Sequence, residues 1–481
     1  MTPKDQKRIT VLIDAVLYVG AILCLAVLCY VFLNFGEYAN GTANILLYFV
    51  VPGMGLIGSV VVLFLPFKVK GSIVPAMISV VFTMYVLELA LVLMQPTSAH
   101  DADMRRIAQS ENREVDERDP EELILELKDK GIEAFQSIVL SHLTPGHQTS
   151  NATSEGRSDG RTLLPLSNVS RSTIILCKEY GYFVTYESDR HGFRNPDAIW
   201  DEASLDMAFV GDSFMEGLCV RDGLGLVDRV RERYPRTINL GRADTGPLAQ
   251  LAIIIEYLSD LRPKVVVWGY YEGNDISNLG ARMDHAVLKR YLEDGFSQGL
   301  LANQDQVDRQ LKGFAERRFR NWMDARNRSS TLAFLKLFRL RNLVLGVGKS
   351  TDEENANAEV LETFRQIMLK ARTAVSGWGG DLYFVYLPSQ VRYREFTQDF
   401  SDDGPYRDQV KDTIRELDIP MLDLVDVFDE RGTTADLWPK ADHLESPHHY
   451  SEQGYKIVAE AIIADLSDRG GKFARAFGQT P

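Results

Sequence analysis

The sequence predicts a membrane-anchored α/β protein, in which three transmembrane helices precede a doubly wound sheet. Residues up to Met94 carry few charges, whereas the remainder of the chain carries almost all of them. Beyond residue 205, apolar runs of strand length alternate with stretches of helical periodicity, which is typical of parallel sheets connected by helices. These runs lack polar alternation, which indicates a sheet that is covered on both faces.

The three predicted transmembrane helices are residues 11–33, 45–67 and 73–94, within a membrane anchor of residues 1–97. Each is long enough to cross a bilayer, because about 20 apolar residues cover the hydrocarbon core. A cleaved signal peptide is the alternative for the first helix. Its apolar region is too long for that, and no small-residue cleavage site follows it.

The positions of lysine and arginine predict the orientation of this anchor. Basic residues precede the first span and fill the turn between the second and third: Lys4, Lys7, Arg8, Lys68 and Lys70. The other loop, GEYANGTAN, contains no basic residue. In a bacterium, this pattern predicts a multi-pass inner-membrane protein whose N-terminus is cytoplasmic and whose chain after Gln95 is periplasmic.

Charge and motif content exclude several classes of partner and cofactor. The 481-residue chain has a formal net charge of −14, whereas a nucleic-acid binder needs a basic face. No Gly-x-Gly-x-x-Gly or Walker motif is present, and no Cys, His or Asp cluster has zinc-type spacing. We therefore expect no nucleotide cofactor and no metal, and the membrane is the partner that the sequence indicates.

The part of the chain after the anchor is predicted to have two regions. Residues 98–204 include the polar stretch HQTSNATSEGRSDGRT and are interpreted as a linker and lead-in. An α/β domain is expected over residues 205–481, with an insertion at about 276–350. The insertion holds a basic stretch with apolar residues at helical spacing. Three interpretations stay open: a helix on anionic headgroups, a cap over an active site, or a solvated helix covering the sheet.

Five strands are predicted in the α/β domain, and the residues that follow them are the candidates for a site. The strands are MAFVG from Met207, TINLG from Thr237, KVVVWGYY from Lys264, DLYFVYLP from Asp381 and IPMLDL from Ile419. Ligands of doubly wound sheets bind beyond the carboxyl ends of the strands.

Polar groups suited to acyl chemistry follow several of these strands. MAFVGDSFMEG places Ser213 on a sharp strand-to-helix turn, which lifts a hydroxyl clear of the sheet. In INLGRADTGPLAQL, Gly241 and Gly246 expose backbone N–H groups, and in YYEGNDI the amide of Asn274 could donate to an oxyanion. His449, just before the last helix, is a candidate base. Taken singly, each also fits a turn glycine, a helix cap or a surface histidine.

Four ordered blocks, GDSF, NLG…G, EGND and HHYSEQGY, resemble those of the SGNH (GDSL-type) hydrolase superfamily over residues 205–466. YESDRHGFRNPD also resembles the lead-in of membrane-anchored bacterial members. The resemblance implies a flavodoxin-like three-layer α/β/α sandwich, with Ser213 as nucleophile and His449 as base. The implied oxyanion hole combines the Ser213 N–H, a backbone N–H of the second block and the Asn274 side chain.

The chain departs from the family pattern at two positions. An aspartate often lies three residues before the histidine, where this chain has Ser446, so Asp442, Glu445 or a backbone carbonyl would orient the ring instead. Asp244 stands where the second-block glycine is expected, which leaves its own N–H or that of Gly246 as the donor. His448 is the alternative base, but the spacing to the following Gly-Tyr favours His449.

The leading functional hypothesis is a periplasmic serine esterase that removes acyl groups, acetyl foremost, from an envelope carbohydrate or lipid. One alternative is an O-acyltransferase that works with a many-spanning membrane acyltransferase partner. The other is a non-catalytic module that binds glycan or scaffolds a complex. Cys177 and Cys219 share the same predicted compartment, so a disulfide between them is a further open question.

Overall fold

The computed structural model describes most of the chain, in two compact units. The described residues are 2–33, 35, 46–94, 99–144, 163–327, 340, 358–394, 406–441 and 443–469. One unit comprises Met1–Pro96, Gln148–Glu155 and Asp324–Thr351, and the other comprises Thr97–His147, Gly156–Met323 and Asp352–Pro481.

The first unit contains three apolar helices: α1 (Pro3–Leu33), α2 (Val51–Leu63, after a π-helical turn at Leu46–Val50) and α3 (Phe67–Met94). By length and composition, two are candidate membrane spans, Lys4–Leu33 and Phe67–Leu91, whereas Tyr48–Leu63 is a shorter apolar helix. The expected span over 45–67 is therefore shorter than predicted. Its helix ends at Leu63, and Pro66, which has no N–H to continue a helix, directly precedes α3.

Two ionisable side chains of these helices are buried against polar partners. Lys70 of α3 lies 2.7 Å from the carboxylate of Asp14 in α1. Glu88 is 1% exposed, and its carboxylate accepts a hydrogen bond of 2.7 Å from the backbone N–H of Leu340. Pairing of this kind offsets the cost of placing a charge among apolar helices.

The second unit is built on a five-stranded sheet whose strands match the predicted runs. The strands are β4 (Met207–Val210), β5 (Thr237–Asn239), β6 (Val265–Tyr271), β7 (Asp381–Leu387) and β8 (Met421–Asp423). All neighbouring pairs are parallel, in the order β5-β4-β6-β7-β8. The predicted parallel α/β sheet is confirmed, and its order is that of flavodoxin-like doubly wound sheets.

Both faces of this sheet are buried, which explains why its strands lack polar alternation. Ala208 and Val210 of β4 point into one core cluster, and Met207 and Phe209 point into another. The helices α8 (Pro247–Ile253), α11 (Ala358–Gly377) and α12 (Arg407–Glu416) contribute to the first cluster. The second receives α7 (Leu226–Arg231), α13 (Leu424–Arg431) and α14 (Glu452–Asp468).

The region predicted as linker and lead-in contributes ordered elements to the second unit. It contains α4 (Ala99–Ser110), α5 (Pro120–Asp129), β1 (Ala134–Gln136), β2 (Thr173–Cys177) and β3 (Val184–Glu187). These strands form a second sheet in which β1 and β2 are parallel and β3 is antiparallel to β2. Ile174, Tyr186 and Phe193 lie in the same core cluster as Ala208, so this region packs on the α/β body.

The described part of the predicted insertion also packs on the α/β body. It begins with α9 (Asp275–Arg282) and continues to α10 (Gln304–Asn327), and Leu288, Tyr291 and Val307 are fully buried in the first core cluster. The first half of the predicted basic helix is helical. Apart from Leu340, its second half lies outside the described residues.

Candidate active site

Ser213 begins α6 (Ser213–Glu216), the short helix that follows β4. A tight approach of backbones makes this turn possible: a Cβ at Gly211 would lie 2.7 Å from the carbonyl oxygen of Gly269 in β6. Asp212 caps the helix, because its Oδ1 accepts a hydrogen bond of 2.9 Å from the Phe214 N–H. Ser213 is therefore held at the carboxyl edge of the sheet, as the sequence predicts.

His449 lies beside Ser213, although the two residues are far apart in sequence. Its Nε2 is 2.9 Å from the Ser213 Oγ, which is hydrogen-bonding distance for a base and its nucleophile. The ring also packs near Phe214, with 4.9 Å between ring centroids. Downstream, Ser451 caps α14 by accepting from the Gly454 N–H at 2.9 Å, which fixes the loop that carries the histidine.

The acid behind His449 is Glu179, which the sequence did not identify. Glu179 Oε1 lies 2.8 Å from His449 Nδ1, and Oε2 accepts from the His449 backbone N–H at 3.4 Å. Burial alone would raise the pKa of Glu179. The charge of His449 and hydrogen bonds from His448 and His449 outweigh burial and hold that pKa well below its usual value.

A disulfide joins the segment that carries Glu179 to the segment that carries Ser213. Cys177 at the end of β2 is bonded to Cys219, which follows α6. Glu179 is only two residues beyond Cys177, so the bond holds this carboxylate near the carboxyl edge of the sheet, where Ser213 and His449 lie. The structure thus contains the Cys177–Cys219 disulfide that the sequence left open. In the sequence, this pair of cysteines was the signal that the segment carrying Glu179 lies near the segment carrying Ser213.

The acids that the sequence offered for this role do not occupy it in the described structure. The Glu445 carboxylate is paired with the guanidinium of Arg106 at 2.7 Å. Asp442 lies outside the described residues. At the position where an aspartate was expected, Ser446 donates from its backbone N–H at 2.9 Å and from its hydroxyl at 2.8 Å to Asp103.

His448, the alternative base, faces carboxylates. Its Nε2 lies 3.3 Å from Asp103 Oδ2, and its Nδ1 lies 3.6 Å from Glu179 Oε2. Its backbone N–H donates to Gln390 at 2.9 Å. With both ring nitrogens directed at carboxylates, the geometry favours His449 as the base at Ser213.

Gly241 and Gly246 serve close packing. The Gly241 N–H donates to the Asn239 side chain at 2.8 Å, so it is not available to a substrate. A Cβ at Gly241 would collide with the backbone of Met215 and Glu216 in α6. A Cβ at Gly246 would lie 2.8 Å from the Cβ of Asn278 in α9, so this glycine lets α8 begin against α9.

Asp244 turns its carboxylate into the protein. Its Oδ1 is paired with Arg282 at 2.6 Å, and its Oδ2 accepts from the Ser141 N–H at 2.6 Å. The residue has φ 61°, a conformation that aspartate tolerates better than most residues. Among the described residues, its backbone N–H has no hydrogen-bond partner, whereas the preceding Ala243 N–H donates to Glu216 at 2.6 Å.

Asn274 follows β6 and precedes α9. Because β6 pairs in parallel with β4, Ser213 and Asn274 follow neighbouring strands at the same edge of the sheet. The Asn274 Oδ1 is buried and has no hydrogen-bond partner within the described part of the chain. A buried polar atom of this carboxamide is therefore available to a bound group.

Two ionisable side chains beside Ser213, those of His449 and Asp212, have raised pKa values. Burial lowers the pKa of His449, but the adjacent carboxylate of Glu179 outweighs burial, and the net effect raises this pKa. Burial raises the pKa of Asp212, next to Ser213, to about 6.

Potential metal-ligand atoms lie within 4.8 Å of one another on three residues: Glu179, Cys219 and His449. Cys219 is engaged in the disulfide, so it offers no thiolate to a metal ion.

No protein-family model and no curated protein match the chain. Among solved structures, a lipolytic protein of the G-D-S-L family from Desulfitobacterium hafniense is 13% identical, with a TM-score of 0.29 and coverage of 53% of this chain and 96% of that one. An acetyl xylan esterase is also 13% identical, with a TM-score of 0.29 and coverage of 54% and 98%.

A two-domain esterase active on acetylated mannans is 13% identical, with a TM-score of 0.30 and coverage of 57% of this chain. The match spans about half of that esterase, 53% of its length. The first of these three structures belongs to the family that the sequence motifs resemble.

Proposed function

We propose that this chain is a serine esterase of the SGNH type. The observation that carries the proposal is the continuous contact from hydroxyl to imidazole to carboxylate. Ser213 Oγ lies 2.9 Å from His449 Nε2, and His449 Nδ1 lies 2.8 Å from Glu179. Nucleophile, base and orienting acid in this arrangement are what acyl transfer through a serine needs.

In the proposed reaction, His449 Nε2 takes the proton of Ser213 as Oγ attacks the carbonyl carbon of the ester. The C–O bond to the alcohol breaks as the imidazolium returns the proton to the leaving oxygen. His449 then takes a proton from a water molecule as its oxygen attacks the acyl carbon. The bond between that carbon and Ser213 Oγ breaks, the imidazolium returns the proton to Oγ, and the carboxylic acid leaves. Glu179 stays anionic throughout, since it stabilises the imidazolium and fixes the tautomer of the ring.

The developing oxyanion would be bound by three groups at the edge of the sheet. The N–H of Ser213 lies at the start of α6, and the Asp244 N–H has no partner among the described residues. The Asn274 carboxamide follows the neighbouring strand β6 and would donate from its side-chain NH2 group. Donors aimed at the site where charge develops lower the barrier more than donors in water do.

Two positions left a non-catalytic function open: Ser446, where an aspartate was expected, and Asp244, where a glycine was expected. Other residues compensate for both. Glu179 stands in for the acid missing at Ser446. The carboxylate of Asp244 is neutralised by Arg282 at 2.6 Å, so it does not oppose an oxyanion as a free charge would. These observations favour a working esterase over a binding module.

The proposed fold is the three-layer α/β/α sandwich of the SGNH hydrolases, tethered by a multi-pass anchor in the inner membrane. The basic residues near the first and third apolar helices support a cytoplasmic N-terminus. The Cys177–Cys219 bond supports a periplasmic catalytic unit, because disulfides persist in oxidising compartments. The proposed substrate is an acylated, foremost acetylated, carbohydrate or lipid of the cell envelope.

The test uses the full-length protein in detergent and p-nitrophenyl acetate as substrate. Ser213→Ala should abolish both hydrolysis and labelling by a fluorophosphonate probe, while Ser259→Ala, at an exposed serine of the same unit, should leave both unchanged. Equal hydrolysis by Ser213→Ala and wild type would sink the proposal. Acyl transfer to an added glycan that outpaces hydrolysis would redirect it to an O-acyltransferase.

A further inference from the structure

A chain of buried groups continues beyond the three residues of the proposed triad. Behind Glu179 lies His448, whose Nδ1 is 3.6 Å from Glu179 Oε2. Behind His448 lies Asp103, whose Oδ2 is 3.3 Å from His448 Nε2. Two histidines adjacent in sequence therefore alternate with two acids, from Ser213 at one end to Asp103 at the other.

Asp103, the acid at the far end of this series of buried groups, is held by several hydrogen bonds. Asp103 lies on α4 with 0% exposure, and its carboxylate accepts from the backbone N–H groups of Glu445 and Ser446 at 2.8–2.9 Å, from the Ser446 hydroxyl at 2.8 Å and from Arg106 at 2.9 Å. Burial raises the pKa of Asp103, but the hydrogen bonds from Glu445 and Ser446, together with His448, lower it overall. Asp103 is thus a fixed anion, which gives the Nε2 side of His448 a fixed partner.

The inner acid needs a partner on each of its oxygens. Glu179 is 6% exposed, and a buried carboxylate oxygen without a donor costs free energy. Oε1 faces the ring of His449 at 2.8 Å. Oε2 faces His448 Nδ1 at 3.6 Å and, at 3.4 Å, the His449 backbone N–H. Loss of His448 would leave Oε2 with the backbone N–H of His449 as its one remaining partner of these two, and the carboxylate could then turn about its side-chain bonds.

We propose that His448 is a positioning residue for the esterase reaction: held by Asp103, it fixes Glu179 in the orientation that aligns His449 with Ser213. This inference rests on the proposed esterase function and deepens it. His448 itself contacts neither the nucleophile nor, by this assignment, the substrate. Its loss should lower kcat and leave KM unchanged.

Two amide variants separate this role from a merely structural one. In His448→Asn, the amide nitrogen has the reach of Nδ1 and can still donate to Glu179. In His448→Gln, the amide nitrogen has the reach of Nε2 and can still donate to Asp103. We expect His448→Asn to keep kcat within about threefold and His448→Gln to lose about 10- to 100-fold, the range seen for hydrogen-bond partners of metal-bound histidines. KM for p-nitrophenyl acetate should stay within twofold in both.

If His448 only anchored the loop through Asp103, His448→Gln would have a higher kcat than His448→Asn. Equal kcat values or a more active Gln variant would therefore overturn the inference.

Combining His448→Gln with Glu179→Gln should lower kcat no more than Glu179→Gln alone, because His448 acts through that carboxylate. If the amide variants unfold, the isosteric Asp103→Asn is measured instead. It should lower kcat about threefold at unchanged KM, and an unchanged kcat would overturn the inference. An inactive wild type would instead refute the esterase function itself.

Discussion

Glu179 Oε1 lies 2.8 Å from His449 Nδ1, although 270 positions separate the two residues in sequence. The acid of the proposed triad thus comes from the lead-in region and reaches the histidine from outside the five-stranded sheet. The position three residues before His449 holds Ser446, whose hydroxyl is engaged by Asp103. A carboxylate thus faces Nδ1 of His449 although the position three residues before it holds a serine.

Replacing Glu179 with glutamine should therefore remove the orienting charge with little change in volume. We expect kcat to fall by about 10²- to 10⁴-fold, since a serine triad without its acid loses up to about 10⁴ in rate. Hydrolysis of p-nitrophenyl acetate measures this loss. Glu445→Gln is the matched control, because that carboxylate pairs with Arg106, and it should retain wild-type kcat.

The pH dependence should report the contact between Glu179 and His449. A base must be unprotonated to act, and the carboxylate raises the pKa of His449 above its ordinary 6.5. The acidic limb of kcat/KM should therefore have its midpoint above pH 6.5 in the wild type. In Glu179→Gln the residual activity should show a midpoint at lower pH, because the charge that favours the imidazolium is gone. A shift to higher pH would contradict the assignment.

The positions of Ser213, Asn274 and His449 could be predicted because they depend on local and topological rules. A glycine-bounded turn after a buried strand predicts a serine at the carboxyl edge of the sheet, where Ser213 lies, although its side chain is buried there. Parallel strands place all their carboxyl ends at one edge, which gathers residues distant in sequence. The five apolar runs coincide with the strands of the structure, which lie in the order of a doubly wound sheet.

Glu179 could not be predicted in the same way, because its position depends on contacts that no periodicity encodes. It follows β2, a five-residue strand of a separate small sheet, and it reaches the catalytic edge beside the Cys177–Cys219 bond. The anchor shows a similar limit. Apolar composition continues through residues 45–67, but the helix ends at Leu63 ahead of Pro66, which hydropathy alone does not register.

The Asn274 carboxamide should matter for the transition state more than for binding. Asn274 follows β6 at the edge of the sheet where Ser213 follows β4, and its side-chain NH2 group would be the donor to the oxyanion. Loss of one oxyanion donor typically costs about 10²- to 10³-fold in kcat, so we expect Asn274→Ala to lose that much at nearly constant KM. Asn303→Ala, at an exposed asparagine of the same unit, serves as the control. A loss in kcat below threefold for Asn274→Ala would exclude Asn274 from the oxyanion hole.

The disulfide should support both stability and catalysis. It closes a loop with a sequence separation of 42, for which removal costs about 2–4 kcal/mol of unfolding free energy. Cys177→Ser with Cys219→Ser should lower the Tm and reduce kcat, because the segment carrying Glu179 loses its tether. In a Glu179→Gln background, the same pair should reduce kcat no further. If the two losses in kcat multiply in the combined variant, the disulfide affects catalysis independently of Glu179.

Asp212 should make the stability of the folded protein fall as pH rises. Burial raises its pKa from 3.8 to about 6, so the folded state holds the proton more tightly than the unfolded state does. Its contribution to stability is complete below pH 3.8 and is lost as pH rises through 6.

Asp212→Asn carries no such charge and keeps an oxygen that can accept from the Phe214 N–H. The Tm of this variant, relative to wild type, should therefore be higher at about pH 7.5 than at about pH 4.5, by a few degrees. Thermal unfolding followed by circular dichroism at both pH values measures the difference. A Tm difference that is the same at both would mean that Asp212 is ionised throughout, with its charge compensated by His449.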